Sequence, residues 1–487
     1  MKHYLLLDIG TGNGRVALVR SDGEILAIRR FSNRYCRDDA YPDAQFFLPE
    51  EWEKEILRCC REVTAERPDI HADAVSASGA RQSLVLLDRQ GTAFYGLPNI
   101  DNRGREYMAE IRDREEIYRR SGKWVTEDFC AAKLLGLRMK RQELYDRMDL
   151  VLSLSGYIGW LFSGKAAFEP SMACETQLYD LEARDWSEFL CDAYGIDRRV
   201  LPPLRMAGEV LGPVLPALRR ELNMAEDAIF VVGGADTQCA LMQTDFRHGD
   251  IAVVSGTTTP VCSLVDSPCC DEQQRVWVDA NLANDGYLIE MNPGITGLNY
   301  QRIKESLFPG TAYEELEAAY REKKDFRCTA SYSSLLFYER RPLKTGGFFV
   351  PAPFPEKIDR VDMLWAVLAD IACATYEQLW RLRELSGHRK PYILGCAGGF
   401  RSPALCQMLA DLSGLELRLL PGYEQATVVG LTKLCNHALA EPDPAGQEAE
   451  MIRYTPRENS LVHRYHRLWN RNRLALNPAP SEKTGTL

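Results

Sequence analysis

The chain opens with a strand, a glycine-rich turn and a second strand, and this unit constrains the fold more than any other stretch. Residues 4–7 form a short apolar run typical of a buried strand, which ends at Asp8. Three glycines between residues 10 and 14 predict a turn and exclude a helix. Residues 15–19 alternate polar and apolar, which predicts a returning strand. Backbone N–H groups of such a hairpin can surround a phosphate, and Asp8 can hold Mg²⁺ through water.

Other interpretations of this turn stay open. Glycines at alternate positions also form ordinary tight turns. A dinucleotide-binding fingerprint contains similar glycines, but it requires a helix directly after them, and residues 15–19 favour a strand. A P-loop is excluded, because no Gly-Lys-Ser/Thr sequence follows. This stretch alone therefore leaves both phosphate binding and a purely structural turn open.

The same order of strand, turn and strand returns past the middle of the chain. Residues 250–254 predict a strand, a Ser-Gly-Thr-Thr-Thr turn follows, and residues 260–265 predict the returning strand. A unit that appears twice predicts two similar domains facing a shared cleft. The repetition favours phosphate binding by both hairpins, because either hairpin alone would be weak support.

A third turn carries an isolated carboxylate. Residues 228–232 predict a buried strand, which runs into Gly233-Gly234-Ala235-Asp236 and then a helix over residues 237–243. A Gly-Gly turn of this kind holds the following backbone rigidly and leaves the Asp236 carboxylate accessible. The alternative is that Asp236 is only a helix N-cap.

Polar side chains collect at two further loops, and loop ends are where ligands bind in α/β folds. Arg81 and Gln82 follow a strand predicted over residues 74–78, and Asp101 and Arg103 lie in an irregular segment. For Asp101 with Arg103, a solvated salt bridge is the alternative interpretation.

The remaining pattern predicts longer elements. Residues 134–162 are predicted to be mainly helical, and residues 168–180 form a polar, mostly non-helical segment before a second long helical region. The chain becomes polar from residue 441, and residues 477–487 are predicted to be a disordered tail.

Length and composition exclude several classes of protein. A chain of 487 residues is too long for one hydrophobic core, so we expect two domains. A net charge of −10 argues against nucleic acid or an anionic membrane as the main partner, and no apolar run reaches membrane-spanning length. The 15 cysteines follow no export signal and include no Cys-x-x-Cys, which predicts reduced thiols in a cytoplasmic protein. The seven histidines show no ligand spacing, which argues against zinc.

Together these motifs resemble the FGGY family of carbohydrate kinases, which shares a superfamily with Hsp70 and actin. The resemblance rests on five places in the family's order: Asp-x-Gly-Thr-x-x-x-Arg at 8–15, Asp101 with Arg103, Gly-Gly-Ala-Asp at 233–236, Ser-Gly-Thr-Thr at 255–258, and Gly398-Gly399 before a helix. It implies an α/β fold of two RNase H-like (actin-like ATPase) domains with a central interdomain cleft. The implied domains are 1–246 for sugar binding and catalysis, 247–440 for the nucleotide, and a C-terminal extension over 441–487.

The activity that the resemblance implies is ATP-dependent phosphorylation of a hydroxyl on a ketose, polyol or related linear sugar. The small-molecule sugar, ATP and Mg²⁺ are the implied partners, and the resemblance also implies a homodimer. The implied ATP contacts are Thr11, Gly12, Asn13, Arg15, Gly256, Thr257, Gly297, Gln301, Gly398 and Gly399. The implied sugar contacts are Arg81, Gln82, Asp101, Arg103 and Asp236, with Asp236 as general base and Asp8 organising Mg²⁺.

The predicted sugar pocket departs from the better-known branches. Ala-Arg-Gln follows Gly79 where xylulose kinases typically carry Gln-Met-His, and Asn99-Ile100 replaces the tryptophan usual before the Asp-x-Arg pair. The likeness to autoinducer-2 kinases and xylulose kinases is therefore partial, and the substrate stays open. The alternatives are an autoinducer-2 type kinase, an inactive sugar- or nucleotide-binding regulator, and an Hsp70- or actin-like ATPase. An inactive regulator would have no chemical need for both Asp8 and Asp236.

Overall fold

The computed structural model describes residues 1–268, 271–283, 285–334, 343, 345–443 and 450–476. The chain divides into two compact units. The first unit contains Met1–Gln243, Val265–Ile289 and Gln425–Gly446, and the second contains Thr244–Leu264, Glu290–Glu424 and Gln447–Leu487. The domain boundary near residue 246 stays a prediction, and the predicted tail over residues 477–487 lies outside the described residues.

Strands and helices alternate along both units. The strands are β1 His3–Ile9, β2 Asn13–Arg20, β3 Ile25–Ser32, β4 Cys36–Arg37, β5 Gln45–Phe46, β6 Ala72–Gly79, β7 Leu84–Leu87, β8 Ala93–Leu97, β9 Leu150–Ser153, β10 Tyr179–Asp180, β11 Asp185–Trp186, β12 Val210–Pro213, β13 Met224–Val231, β14 Ile251–Val254, β15 Val261–Val265, β16 Trp277–Ala280, β17 Tyr287–Met291, β18 Thr329–Ser331, β19 Gly347–Phe349, β20 Tyr392–Cys396, β21 Glu416–Leu419 and β22 Ile452–Tyr454. The α-helices are α1 Pro49–Ala65, α2 Arg114–Ser121, α3 Cys130–Lys140, α4 Gln142–Arg147, α5 Leu154–Ser163, α6 Pro170–Cys174, α7 Glu188–Tyr194, α8 Pro216–Glu221, α9 Asp236–Met242, α10 Gly297–Leu307, α11 Tyr313–Arg321, α12 Arg360–Ser386, α13 Pro403–Ser413, α14 Ala426–Leu439 and α15 Ser460–Leu476.

A six-stranded sheet forms the centre of the first unit, in the order β12-β13-β6-β1-β2-β3. β6 is parallel to both β1 and β13, and β1 is antiparallel to β2. Side chains of β1 alternate between two apolar layers: Leu5 and Leu7 belong to the cluster that includes α1 and α5, and Tyr4 and Leu6 to the cluster that includes α9 and α14. Helices on both faces explain why residues 4–7 of this strand form an unbroken apolar run.

The second unit repeats part of this topology. Its strands follow in the order β15-β14-β20-β21-β22, with β14 antiparallel to β15 and parallel to β20. The β14–β15 hairpin thus corresponds to the β1–β2 hairpin, and β20 corresponds to β6. Two matching hairpins, each beside a parallel strand, agree with the repeated sequence pattern.

One sequence-based expectation about helices is wrong, and another is incomplete. The stretch 134–162 is mainly helical, as predicted, but it also contains the strand β9, which pairs antiparallel with β7. The second long helical region consists of α7 alone, with seven residues, and a 3₁₀ turn over Arg198–Val200. In both places the apolar residues needed a partner surface far away in the sequence, which periodicity does not reveal.

The polar C-terminal region contains a helix that the sequence pattern did not predict. α15 buries Val462, Tyr465 and Trp469 in the core of the second unit. The Trp469 indole Nε1 donates a hydrogen bond of 2.7 Å to Oδ1 of Asp370 on α12, and both side chains are buried. The sparse apolar residues of α15 therefore pack into the core, and buried polar contacts of Trp469 and Tyr465 fix the helix in place.

We expect Trp469→Phe to lower the free energy of unfolding of the second unit by about 1–3 kcal/mol, because the buried Asp370 Oδ1 loses its donor. The measurement is the melting temperature of purified variants. Trp380→Phe, at an indole 41% exposed, is the matched control and should leave the melting temperature unchanged. Equal melting temperatures for both variants would contradict the anchoring role of Trp469.

Candidate active site

Three neighbouring strands of the first unit end at one edge of the sheet. Asp8 of β1 pairs in register with Ser78 of β6, and Gly79 of β6 bridges to Ala235 beyond β13. The carboxyl ends of parallel strands meet at the same edge, which is where ligands bind in α/β sheets. This register brings together the loops that carry Asp8, Arg81 and Asp236.

Asp236 is the first residue of α9 and is partly exposed. Ala235 holds the N-cap position, so the N-cap interpretation of Asp236 is wrong. The Asp236 Oδ1 accepts a hydrogen bond of 2.7 Å from the Thr237 backbone N–H. Burial by the surrounding protein raises the pKa of Asp236 to about 6, although the Arg81 charge lowers it and the Asp8 charge adds to the rise. A carboxyl group with this pKa is suited to accept a proton near neutral pH.

Asp8 is fixed by donors on both of its oxygens. Arg15 Nε donates to Oδ2 at 2.7 Å, and Ser78 Oγ donates to Oδ1 at 2.7 Å. Arg15 in turn donates to Gln425 Oε1 at 2.6 Å. The carboxylate is therefore oriented before any ligand binds.

The turn of the first hairpin is held by hydrogen bonds to Thr11, and its tip at Gly12 is open. The Thr11 carbonyl accepts hydrogen bonds from Tyr35 and Asn33, and its Oγ1 accepts one of 2.8 Å from Asn99 Nδ2. At Gly12, no heavy atom of the described residues lies within 4 Å of the position that a Cβ would occupy. Asn13 is exposed beside it. An open, supported turn of this kind suits the binding of a phosphate by backbone N–H groups.

Arg81 and Gln82 are oriented by one buried glutamate. Glu175 Oε1 accepts from Arg81 at 3.3 Å, and its Oε2 accepts from Gln82 at 2.9 Å. Lys123 Nζ lies 3.7 Å from Glu175 Oε1 and donates to Asp279 Oδ1 at 2.6 Å. Burial alone would raise the pKa of Glu175, but Lys123 and Arg81 hold it below its ordinary value.

A second buried lysine joins two loops of the site. Lys133 Nζ donates to the Gln82 carbonyl at 2.7 Å and to the Asn99 carbonyl at 3.1 Å. Burial lowers the pKa of Lys133. Since Asn99 also binds Thr11, the loop of Gln82, the loop of Asn99 and the first hairpin form one hydrogen-bonded system.

Asp101 and Arg103 are completely buried, so the alternative of a solvated salt bridge is wrong. Arg103 Nε donates to Asp101 Oδ2 at 2.7 Å, and Arg103 also contacts Asp38 and the Gln45 carbonyl. Asp101 Oδ1 accepts from the Gln45 backbone N–H at 2.9 Å. These contacts tie together loops behind the site, and a direct sugar contact by either residue stays a prediction.

In the second unit, the turn after β14 lies against two other predicted nucleotide loops. The Thr257 carbonyl accepts from the Thr296 backbone N–H at 3.1 Å, and Gly399 N–H donates to the Ser255 carbonyl at 2.7 Å. A Cβ on Gly297 would stand 2.1 Å from the Gly256 carbonyl oxygen, so glycine is required there for the close approach. Gly256, Thr257, Gly297 and Gly399 thus converge. Gln301 is exposed on α10, and no heavy atom of the described part of the chain lies within 4 Å of a Cβ built on Gly398.

The donor set of the first unit fits Mg²⁺. Magnesium retains several waters and binds proteins through one or two carboxylates together with substrate phosphates. Asp8 supplies such a carboxylate, and the described part of the chain contains no group of three or more His, Cys, Asp or Glu arranged for a protein-only metal site.

Comparison with known proteins decides the family. Residues 3–243 match the N-terminal domain of the FGGY family of carbohydrate kinases. The putative sugar kinase YoaC of Bacillus subtilis (strain 168) is 38% identical over 437 residues, which cover 89% of this chain and 90% of that protein. The chain belongs to the FGGY family of carbohydrate kinases. The prediction of a carbohydrate kinase is therefore confirmed, and ATP is the phosphoryl donor of this family.

More distant relatives of this FGGY kinase define its fold. The autoinducer-2 kinase of Salmonella choleraesuis (strain SC-B67) is 25% identical over 454 residues, covering 88% of this chain and 84% of that protein. The crystal structure of a ligand-bound xylulose kinase from Lactobacillus acidophilus matches with a TM-score of 0.83 at 18% identity, covering 98% of this chain and 99% of that chain. The predicted α/β, actin-like ATPase fold is confirmed. Among the described residues, no helix has the length and apolar character needed to cross a membrane.

The sequence motifs identified the ends of the strands but missed the buried ions behind them. Glu175, Lys123 and Lys133 are nearly or completely buried and orient the predicted sugar loops. Lys133 lies in a helix that is buried on most of its surface, where a lysine is a sequence signal for a buried partner. Lys123 and Glu175 carry no such signal.

We expect Arg103→Met to lower the free energy of unfolding by about 3–5 kcal/mol, because Asp101 is left as an uncompensated buried charge. Chemical denaturation of the purified variant is the measurement. Lys54→Met, at an exposed ion pair with Glu50, is the same substitution at the surface and should leave stability unchanged. If Arg103→Met were as stable as this control, the structural role of the buried pair would be refuted.

Proposed function

We propose that this FGGY kinase transfers the γ-phosphoryl group of ATP to a hydroxyl of a ketose, polyol or related linear sugar, with Asp236 as the general base. The observation that carries the proposal is the convergence of Asp236, Asp8 and Arg81 at one sheet edge, with an elevated Asp236 pKa. Asp236 accepts the hydroxyl proton as the sugar oxygen bonds to the γ-phosphorus and the bond to the β,γ-bridging oxygen breaks. Phosphoryl transfer depends mainly on alignment and charge neutralisation, so one positioned carboxylate is sufficient.

The proposed ligand contacts follow the same geometry. Asp8 would hold Mg²⁺ through its water shell, and the ion would supply positive charge to the phosphates of ATP. Arg81 and Gln82 hold sugar hydroxyls from the position that Glu175 gives them, and Asp101 and Arg103 complete the predicted pocket. The residues proposed to contact ATP are Thr11, Gly12, Asn13 and Arg15 in the first unit, and Gly256, Thr257, Gly297, Gln301, Gly398 and Gly399 in the second.

The acceptor is proposed at the level of a class. The likeness to an autoinducer-2 kinase favours including the autoinducer-2 precursor beside pentuloses, hexuloses and polyols as candidate substrates. ADP release with Mg-ATP and each compound separates these candidates. The homodimer and the cytoplasmic location stay predictions.

We expect Asp236→Ala and Asp236→Asn to reduce kcat by about 10²–10⁴-fold, because the attacking hydroxyl loses its proton acceptor. Nucleotide affinity, measured by calorimetry, should stay nearly unchanged. Asp227→Asn is the matched control, since Asp227 is exposed on the strand that leads to the same turn. Turnover by the Asp236 variants at the wild-type rate would disprove the assignment of the base.

We expect kcat/KM to fall about tenfold per pH unit below pH 6 and to be level above it, because the base must be deprotonated and the pKa of Asp236 is about 6. The measurement is a pH profile between 5 and 8 for the wild type. The residual activity of Asp236→Asn, followed over the same range, corrects for the ionisation of ATP. An acidic limb that persists unchanged in this variant would assign the titration to another group.

A further inference from the structure

Two buried glutamates flank a short helix beside the active site. Glu169 and Glu175 lie directly before and after α6 (Pro170–Cys174), within the polar segment that the sequence singled out without assigning a role. They are 3% and 1% exposed. Burying acids is costly unless they are paired, and such groups are common at functional sites.

Glu169 contacts the turn that carries Asp236. Its Oε2 accepts hydrogen bonds from Ser171 Oγ and from the Met172 backbone N–H. Ser171 Oγ in turn accepts the backbone N–H of Ala235 at 3.1 Å, and Ala235 is the residue immediately before Asp236. The Glu169 Oε2 also lies 3.0 Å from the Cβ position of Gly234, so the glutamate packs directly under the Gly-Gly turn.

Glu169 lies in a confined, buried site. The glutamate lines a cavity with room for about one water, together with Gly233, Val232 and Phe230. Its Oε1 is buried without a hydrogen-bond partner in the part of the chain that the structure describes. Burial raises the pKa of this carboxyl to about 7. The hydrogen bonds from Ser171 and Met172 thus hold the glutamate, and Ser171 links it to the turn.

Glu175 performs the corresponding task at the other end of α6. It accepts from Arg81 and Gln82 at 3.3 and 2.9 Å, and its charge is balanced by Lys123. Gln82 has a positive φ of 60°, so this backbone conformation depends on its surroundings. One rigid helical turn therefore connects the support of the base loop with the support of the predicted sugar loop.

We infer that Glu169 and Glu175 are positioning residues, with Glu169 and Ser171 aligning the Asp236 turn and Glu175 aligning Arg81 and Gln82 for the acceptor. The inference rests on the proposed function. It assigns the two glutamates different kinetic effects, although both are buried and lie within seven residues of each other.

The kinetic test compares variants at the two ends of α6 with the acceptor found in the substrate panel. Glu169→Ala should reduce kcat by about 10²-fold with little change in the KM of the sugar, because the base is misaligned. Glu175→Ala should raise the KM of the sugar about tenfold or more with a smaller change in kcat, because Arg81 loses a charge-assisted hydrogen bond. Glu169→Gln should restore most of the activity, since an amide oxygen accepts the same hydrogen bonds. If Glu175→Ala does not fold, Glu175→Gln replaces it in the measurement of the sugar KM.

A second measurement does not depend on activity. Hydrogen exchange of the Ala235 amide should accelerate in Glu169→Ala and Ser171→Ala, and the double variant should exchange no faster than either single variant. Ser187→Ala is the matched control, because Ser187 is a similarly buried serine that caps α7. It should lower the melting temperature and leave both Ala235 exchange and kinetics unchanged.

A different result would overturn the inference. If kcat fell and KM rose together in every variant, in proportion to the drop in melting temperature, both glutamates would have a purely structural role. Unchanged Ala235 exchange in Glu169→Ala would overturn it as well. If the wild type phosphorylated no compound of the panel while the exchange results were as expected, the proposed function would fail and the alignment of the Asp236 turn by Glu169 would stand.

Discussion

The parallel register of β1, β6 and β13 is the constraint on which the active site depends. It places the end of β1, the end of β6 and the turn after β13 side by side, so that residues separated by more than 200 positions in the chain share one small volume. A slip of two residues in either pairing would move Asp8 or Asp236 by about 7 Å along the strand. These carboxylates would then no longer lie at the same edge of the sheet.

The strands determine where the loops at this edge begin, and buried charged residues then fix the conformation of these loops. Three groups replace apolar packing by directed contacts: Glu175 with Lys123 and Asp279, Lys133 with two carbonyls, and Arg103 with Asp101. Buried ions of this type seldom add net stability compared with apolar groups of the same shape. Their advantage is geometric, since a charged hydrogen bond specifies both distance and direction, and a phosphoryl-transfer site requires both.

The sequence predicted the strand ends well and the supporting residues poorly. Glycine-rich turns lie next to Asp8, Arg15 and Asp236 in the sequence. These turns mark the three residues as positions at the ends of strands. Glu175 and Lys123 have ordinary neighbours, and their burial follows from ion pairs between residues 52 and 156 positions apart along the chain. The same reason explains the missed strand β9 and the missed helix α15, because each exists through contact with a distant surface. Asp101 and Arg103 are fully enclosed by protein in this structure, and their contact with the sugar stays a prediction.

By itself the sequence determined the alternation of strands and helices and the two glycine-rich hairpins, because backbone preference and apolar periodicity act over a few residues. The resemblance of its motifs indicated the family. Only the tertiary structure decided which charged side chains are buried, which ones face the ligand edge, and how the α6 segment connects the Asp236 turn with Arg81 and Gln82. Electrostatic energies depend on burial and on distances across the fold, and neither quantity is encoded in any local stretch of the chain.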